Sequence, residues 1–175
     1  MMRIIAGSMK GRRLEGPATG DLDVRPTADR AREALFSILQ AWPAGSFVDL
    51  FAGTGAMALE AFSRGYGRVT CVEAKPQPYL LRNLKHADID QLSRDALKLG
   101  SDSFAGAAVV FSDPPYERSV EFWEKLAGRI RPWLAEGGVL VWETDGRTEL
   151  PLRPGWELIE TRRYGNARFH FLEAR

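Results

Sequence analysis

The sequence predicts an α/β fold built on a mostly parallel, Rossmann-like sheet. Short apolar runs of strand character alternate with segments in which apolar residues recur at helical spacing. A glycine-rich turn joins the first of these strands to the helix after it, and Gly165-Asn166 near the C terminus predicts the turn of an antiparallel hairpin. Alternating units of this kind place helices on both faces of the sheet.

The elements can be followed in chain order. Residues Arg3 to Arg25 are rich in glycine and basic residues with weak periodicity, which predicts an extended arm or hairpin without a core. A helix opens at Pro26-Thr27, where Thr27 can cap it, and its apolar face carries Ala31, Ala34, Leu35 and Ile38. The other predicted elements are strands over Ser46 to Leu50, Arg68 to Glu73, Val109 to Asp113 and Val139 to Glu143, helices over Gly55 to Arg64, Pro76 to Lys85 and Ser119 to Arg131, and a hairpin from Trp156 to Leu172.

Composition sets broad limits on the class of protein. The chain has 175 residues, 45% of them hydrophobic, so we expect one domain over residues 1–175 with a substantial core. Its 24 basic and 23 acidic residues nearly balance, so net charge does not indicate a polyanionic partner. The one cysteine, Cys71, lies in an apolar run, which excludes disulfides within the chain and predicts a buried thiol. No apolar run suits a signal peptide or approaches about 18 residues, so we expect a cytoplasmic protein without membrane contact.

The first motif lies where a strand passes into a helix. In the segment from Val48 to Ala56, Gly53 and Gly55 permit a tight turn whose backbone can approach a ligand. Glu73, at the end of the next strand, could accept both hydroxyls of a ribose. A structural turn beside an exposed glutamate is the alternative, and the presence of Asp49 before the turn favours an adenosine site over it.

The second motif, Asp113-Pro114-Pro115-Tyr116, distinguishes among adenosine ligands. It follows a buried strand at the carboxyl edge of the sheet, where open α/β folds bind ligands. Dinucleotide enzymes do not need such a motif, although Ala58, in place of the third glycine of their fingerprint, does not exclude them. A turn stiffened by proline is the structural alternative, and the glycine turn upstream makes it the weaker interpretation.

These residue types suit methyl transfer to an exocyclic amine of a base. The lone pair of such a nitrogen is delocalised into the ring, so catalysis must favour a pyramidal nitrogen, and two acceptors on its hydrogens would do this. Asp113 can supply a carboxylate oxygen and Pro114 its carbonyl, both preorganised by the prolines. Tyr116 can stack on a base lifted from its helix. A sulfonium methyl donor needs mainly proximity and alignment, so no metal is required.

The chain resembles the bacterial RsmD-type methyltransferases, which act on the N2 amine of a guanine in 16S ribosomal RNA. The resemblance covers nearly the whole length. It is carried by Arg3-Ile4-Ile5-Ala6-Gly7, Lys10-Gly11-Arg12-Arg13-Leu14, Arg25-Pro26-Thr27, Asp29-Arg30, Arg32-Glu33-Ala34-Leu35-Phe36, Asp49-Leu50-Phe51-Ala52-Gly53-Thr54-Gly55, Asp113-Pro114-Pro115-Tyr116, Gly137-Gly138 and Arg162-Arg163-Tyr164-Gly165. The arginine-rich N-terminal block is more particular to this family than the glycine and proline motifs, and the substrate assignment depends on it.

The resemblance implies a class I methyltransferase fold with a seven-stranded, mostly parallel sheet, a C-terminal antiparallel hairpin and an N-terminal basic arm. It implies S-adenosylmethionine as cofactor, with Asp113, Pro114 and Tyr116 holding the target guanine. The cofactor residues it implies are Asp49, Phe51, Gly53 and Gly55 around the methionine part, Glu73 at the ribose, and Asp95 with Ala96 at the adenine. The chain departs from the family pattern at Ser112, usually apolar, and between Ala87 and Arg94, where no third strand is clear.

RNA contact would come from local basic clusters. Arg3, Lys10, Arg12 and Arg13 have no acidic residue among them, and the resemblance favours phosphate contact for this group, within an RNA-contacting arm of residues 1–26 ahead of a catalytic core of residues 27–175. Arg162, Arg163 and Arg168 near the hairpin turn are interpreted as a solvated surface. His86 and His170 lack metal-ligand spacing, so no metal site is expected. Trp123, Trp133 and Trp142 are expected in the core, whereas Trp42 could be buried or could stack on a base.

Three functional hypotheses follow. The first is a monomeric guanine-N2 methyltransferase of 16S ribosomal RNA that recognises a partly assembled small subunit, since one small domain offers little surface for reading free RNA. The second is a DNA or RNA adenine-N6 methyltransferase, which could use the same four-residue motif. The third is a catalytically silent RNA-binding assembly factor.

Overall fold

The computed structural model describes residues 2–17 and 26–175. Helix α1 begins at Pro26, as the sequence predicts. Two predictions fall outside the described part of the chain: capping by the Thr27 side chain, and the arm over residues 18–25. The helices are α1 (Pro26–Ile38), α2 (Ala56–Ser63), α3 (Pro78–Leu84) and α4 (Ser119–Ile130), and the strands are β1 (Ser46–Leu50), β2 (Val69–Val72), β3 (Ile89–Leu92), β4 (Ala107–Ser112), β5 (Leu134–Asp145), β6 (Trp156–Tyr164) and β7 (Ala167–Ala174).

The strands form one seven-stranded sheet in the order β3-β2-β1-β4-β5-β7-β6. The pairs from β3 to β5 are parallel, and β7 is antiparallel to both β5 and β6. The prediction of a mostly parallel sheet with a C-terminal antiparallel hairpin is therefore confirmed. The strand order reverses between β1 and β4, and in open α/β sheets the crevice beyond such a switch point binds ligands.

Apolar side chains alternate between two cores because successive residues of a strand point to opposite faces. On β4, Val109 and Phe111 join the core under α1, α2 and α3, while Val110 joins the core under α4. The expected tryptophans lie in the second core, where Trp123, Trp133 and Trp142 are fully buried. Burial on both faces explains why these strands read as continuous apolar runs.

The N-terminal residues are part of the first core, so the expectation of an arm without a core was wrong. Ile4 and Leu14 are buried there, and the chain between them folds back so that Ile4 donates to the carbonyl of Arg12. Glu60 of α2 fixes this turn, because its buried carboxylate accepts from the backbone N–H groups of Ile5 and Ala6 at 2.8 and 3.1 Å. The anchoring partners lie more than fifty residues away in the chain, which is why local sequence gave no sign of them.

A third strand is present where the sequence showed none clearly. Strand β3 pairs in parallel with β2, with Ile89 opposite Val69 and Leu92 opposite Val72. It is an edge strand whose residues are half-buried or exposed, so it needs no continuous apolar run. Strand β5 also begins earlier than the predicted Val139, at Leu134. None of the described helices combines the length and apolarity needed to cross a membrane.

Candidate active site

The turn between β1 and α2 forms the floor of the site. It begins at Phe51, whose φ of 63° is unusual for a residue with a side chain and marks a strained position. Its ring packs edge-on against Phe122 at 5.0 Å, and the residue lines three cavities. Gly53 follows with a φ of 54° and an exposed backbone. The sequence-predicted residues Phe51 and Gly53 therefore both reach the site.

Gly55 has a structural role in the same turn. Its φ is 78°, and a Cβ there would lie 2.8 Å from Cδ1 of Leu80 and 3.3 Å from Cδ2 of Leu84. The glycine thus allows α3 to pack closely against the start of α2. Gly55 is buried and lines none of the three cavities, so it shapes the turn from beneath.

Glu73 lies just beyond β2 and is tied to the glycine turn. Its Oε2 accepts from the N–H of Gly53 at 3.0 Å, and its Oε1 accepts from the N–H of Lys75 at 3.1 Å. A carboxylate oxygen has two lone pairs, so each oxygen retains one acceptor position. The half-buried side chain lines two of the three cavities and is oriented for a ligand with hydroxyl groups.

Asp95 and Ala96 line a cavity of about 380 Å³ together with Glu73. Asp95 caps a short 3₁₀ helix, with Oδ1 accepting from Leu97 N–H at 2.9 Å, and Ala96 is buried beside it. The remaining walls are largely apolar: Phe51, Val72, Ala74, Leu97, Pro115 and Phe122, with Arg94 and Arg118 at the rim. A largely apolar cavity that also carries two carboxylates suits a flat heteroaromatic ring joined to a sugar.

The Asp113-Pro114-Pro115-Tyr116 segment follows β4 and lies between two cavities. Asp113 and Tyr116 line the cavity that reaches Glu73, and they also line a second cavity of about 520 Å³ that contains Asp49. Pro114 is buried and lines the first of these. The motif therefore stands at the junction of the two cavities, as expected for residues that bring two ligands together.

Glu143, two residues before the end of β5, lines the larger cavity and was not indicated by the motifs. Its side chain is 9% exposed, and Oε1 accepts a hydrogen bond of 2.7 Å from the Tyr116 hydroxyl. Burial and the neighbouring Asp113 raise the pKa of the Glu143 carboxyl. The sequence signal for it was an acidic residue that ends the predicted strand over Val139 to Glu143, without a motif around it.

Asp49, Asp113 and Glu143 give this cavity an acidic floor. Asp49 is buried, and its Oδ2 accepts from Ala58 N–H at 3.1 Å. Burial raises the pKa of Asp49 to about 8, against the lowering effect of the Ala58 hydrogen bond. Burial of its carboxyl group likewise raises the pKa of Asp113. Other parts of the residue are exposed in the cleft. Each of these carboxyl groups therefore holds its proton more tightly than it would in water.

Helix α1 and the hairpin turn complete the wall of the larger cavity. Arg32 of α1 is buried there, with Nη2 donating to the carbonyl of Arg3 at 2.5 Å and to Oδ1 of Asp29 at 3.0 Å. The turn contributes Tyr164, Gly165 and Asn166, and neither Arg32 nor Asn166 was singled out as a site residue from the sequence. The N-terminal residues and the wall of the larger cavity thus share Arg32 as a common support.

Of the four basic residues predicted to contact RNA, three are exposed and one is engaged within the protein. Arg3, Lys10 and Arg13 are exposed, and the backbones of Arg3 and Arg13 pair in an isolated antiparallel β-bridge. Arg12 is half-buried, and its Nη2 donates to the carbonyls of Asn83 and Lys85 at the end of α3, at 2.7 and 2.9 Å. Arg12 therefore caps a helix, while the other three are available to a partner.

The strand order and this site define the class I methyltransferase fold. The chain shares that fold with a Burkholderia thailandensis 1,6-didemethyltoxoflavin-N1-methyltransferase whose structure contains S-adenosylhomocysteine, with a TM-score of 0.67 over 83% of this chain and 77% of that one. The sequence identity to it is 13%, so the likeness concerns the fold alone.

Closer relatives identify the family. The family model described as Conserved hypothetical protein 95 matches residues 2–173. Ribosomal RNA small subunit methyltransferase D of Escherichia coli (strain K12) is 33% identical over 170 residues, which cover 90% of this chain and 82% of the relative. A hypothetical protein of Thermus thermophilus has a structure with a TM-score of 0.82 and 28% identity, covering 99% and 100% of the two chains. The chain belongs to this family, the RsmD family that its motifs indicated.

Proposed function

We propose that this protein transfers a methyl group from S-adenosylmethionine to the exocyclic N2 of a guanine in 16S ribosomal RNA. Family membership supports methylation of ribosomal RNA in general, since a 33% identical relative is named as a small-subunit ribosomal RNA methyltransferase. The observation that carries the chemistry is the position of Asp113 and Tyr116, which line both the cavity reaching Glu73 and the cavity containing Asp49. A donor in one cavity and an acceptor base in the other would meet at these residues.

The cofactor fits the residues of the two cavities that Glu73 lines. The free acceptor positions on Glu73 suit the ribose hydroxyls, the apolar walls suit the adenine ring, and Asp95 and Ala96 border its edge. The methionine part would extend past Phe51 into the larger cavity, where Asp49, Phe51 and Gly53 would surround it, with Gly55 shaping the turn beneath. When bound, S-adenosylmethionine supplies a methyl group on a sulfonium, a good leaving group that needs no metal.

The target amine would be held by the motif after β4. Asp113 and the carbonyl of Pro114 accept from the two N2 hydrogens and favour a pyramidal nitrogen, whose lone pair then points at the methyl group. Consecutive prolines hold both acceptors in place without reorganisation. Because burial raises the pKa of Asp113, its carboxylate is also a suitable base for the proton that N2 loses. Tyr116 borders the same space and offers its ring to the base.

The RNA around the target would be held by the exposed basic residues of the N-terminal segment. Arg3, Lys10 and Arg13 are accessible, and Arg3 is linked through its carbonyl to Arg32 in the wall of the larger cavity. We propose a partly assembled small subunit as the substrate, because one small domain presents few groups for reading free RNA. Phosphate contacts of this kind give an affinity that falls as salt rises.

The decisive experiment uses labelled S-adenosylmethionine and small-subunit particles from cells that lack the gene. The RNA is digested after reaction and the labelled nucleoside is identified by mass. We expect N2-methylguanosine with the wild-type protein, a loss of at least about 100-fold with Asp113→Asn, and unchanged activity with Asp102→Asn, an exposed aspartate outside the cavities.

Other outcomes assign the protein differently. Label in N6-methyladenosine would identify an adenine methyltransferase that uses the same motif. Absence of label together with retained particle binding, unaffected by Asp113→Asn, would identify an RNA-binding assembly factor. Naked 16S ribosomal RNA that is methylated as efficiently as the particles would contradict the proposed preference for an assembly intermediate.

A further inference from the structure

Glu143 occupies a position in the larger cavity that the transfer chemistry leaves without a role. Ser112, the last residue of β4, pairs with Trp142 of β5, so Asp113 and Glu143 are the next residues along two adjacent parallel strands. Adjacent strands lie about 4.8 Å apart, and residues in register point to the same face. Asp113 and Glu143 therefore present two neighbouring carboxyl groups to one space, and both line its wall.

The orientation of Glu143 is fixed by Tyr116. The phenol hydroxyl donates to Oε1 at 2.7 Å, and within residues 2–17 and 26–175 no hydrogen bond engages Oε2. The side chain is more than nine-tenths buried and lines the larger cavity, so this second oxygen is available to a ligand bound there. A ligand in the cavity that offers an N–H group beside its reacting amine would satisfy it.

We infer that Glu143 reads the Watson–Crick edge of the target base, accepting the N1–H of guanine while Asp113 and Pro114 hold N2. This inference rests on the proposed function. On guanine, N1–H and N2–H₂ are adjacent donors, which matches two adjacent carboxyl groups. On adenine, N1 is an acceptor with a lone pair, and an ionised carboxylate facing it would be repelled. Glu143 thus determines which base is methylated, whereas Asp113 serves the transfer itself.

This role requires the ionised form of Glu143, which the groups around it favour or disfavour to different degrees. Among the described residues, five charged or titratable groups line the cavity besides Glu143: Arg32, Asp49, Asp113, Tyr116 and Tyr164. Burial and Asp113 raise the pKa of the Glu143 carboxyl in the free protein, whereas the Tyr116 hydrogen bond favours its ionised form. A second donor on Oε2, the guanine N1–H, adds to that stabilisation.

The test compares guanine with 2,6-diaminopurine at the target position of reconstituted small-subunit particles. Both bases carry the 2-amino group, but 2,6-diaminopurine has an acceptor at N1 in place of the donor. We expect the wild-type protein to prefer guanine in kcat/KM by about 100-fold or more. In Glu143→Gln, the side-chain amide can donate to N1 of 2,6-diaminopurine, so the preference is expected to fall at least about tenfold.

Two controls separate specificity from structure. Glu136→Gln changes an exposed glutamate on the same strand, at its other end, and is expected to keep the wild-type preference. Asp113→Asn is expected to slow transfer to both bases alike and so leave their ratio unchanged. Should Glu143→Gln fail to fold, Glu143→Asp keeps a carboxylate, and it is expected to lower kcat/KM for guanine while retaining the preference for it.

The results also separate this inference from the proposed function. Methylation of guanine N2 by the wild-type protein, with an unchanged base preference in Glu143→Gln, would overturn the role of Glu143 and leave the proposed function intact. Loss of the guanine preference in Glu143→Asp would overturn it as well. If the wild-type protein places no methyl group on guanine N2, the proposed function fails and the inference fails with it.

Discussion

The backbone N–H of Gly53 donates to the carboxylate of Glu73 over 3.0 Å, joining the turn after β1 to the end of β2. The other carboxylate oxygen of Glu73 accepts from Lys75 N–H at 3.1 Å. One side chain therefore shapes the glycine turn and keeps acceptor positions for a ligand, which is a ribose in the proposed function. The two roles are coupled, because a change that disturbs the turn also moves these acceptor positions.

Replacement of Glu73 by glutamine is expected to weaken S-adenosylmethionine binding at least about tenfold. An amide has one acceptor oxygen, so its NH₂ group must face one of the two backbone N–H donors, and this repulsion displaces the turn and removes an acceptor position. Isothermal titration calorimetry measures the change. Glu124→Gln, an exposed change on α4, serves as the matched control, and equal affinities in the two variants would contradict the assigned role of Glu73.

Gly7→Ala is expected to detach the N-terminal segment. A Cβ at Gly7 would lie 1.8 Å from the carbonyl oxygen of Ser63, too close for small adjustments. Gly11→Ala is the control, since Gly11 has nearly the same φ, +85° against +82°, but nothing within 4 Å of the added atom. Both variants carry backbone strain of about 1 kcal/mol or more, and only Gly7→Ala adds the steric conflict. Limited proteolysis should cut the segment in Gly7→Ala, and equal cleavage in both variants would refute this contact.

Arg12 and Arg13 are adjacent and are expected to respond oppositely to alanine substitution. Arg12 bonds to two carbonyls at the end of α3, so its loss should lower the free energy of unfolding by about 1–2 kcal/mol. Arg13 is exposed, so Arg13→Ala should change stability by less than about 0.5 kcal/mol while weakening particle binding and reducing its salt dependence. Chemical denaturation and binding measured at several salt concentrations test both, and a stability loss confined to Arg13→Ala would reverse the assignment.

The buried Asp49 makes stability depend on pH. Burial raises the pKa of Asp49 to about 8, whereas the unfolded chain releases this proton near pH 4, as aspartate ordinarily does. Between these values the folded state holds more protons than the unfolded state, so the contribution of Asp49 becomes more unfavourable as pH rises. Asp49→Asn removes that effect, and its free energy of unfolding relative to wild type should increase from pH 5 to pH 8 by an amount on the order of a few kcal/mol.

The control for this measurement is Asp102→Asn, at an exposed aspartate, which should show a flat difference over the same range. Urea denaturation at several pH values gives both curves. A difference for Asp49→Asn that does not vary with pH would mean that the folded protein carries Asp49 ionised at pH 5.

Local patterns predicted the parts of the fold whose causes are local. Strands such as β4 are buried on both faces and read as apolar runs, and Gly165-Asn166 gave the hairpin turn. Ile4 was missed because its burial depends on Glu60, a distant residue that anchors the backbone beside it. Strand β3 was missed because an edge strand tolerates polar residues.

The residues of the site likewise divide into those that a local motif indicates and those that depend on distant parts of the chain. Asp113 was found because prolines and a tyrosine follow it in a recognisable motif, and Glu73 because it ends a strand after a glycine turn. Glu143 has no motif around it, and its relation to Asp113 arises only from the register between β4 and β5. Arg12 was grouped with its neighbours by charge alone, since no local pattern distinguishes an arginine that caps a helix from one that is free.

Strand β7 lies between β5 and β6 although it follows both in the chain, and its residues Ala167 and Phe169 form part of the wall of the larger cavity. During synthesis the glycine turn, Glu73 and Asp113 all emerge from the ribosome before this wall. The strand that completes the wall of the larger cavity is therefore the last part of the sheet to be synthesised.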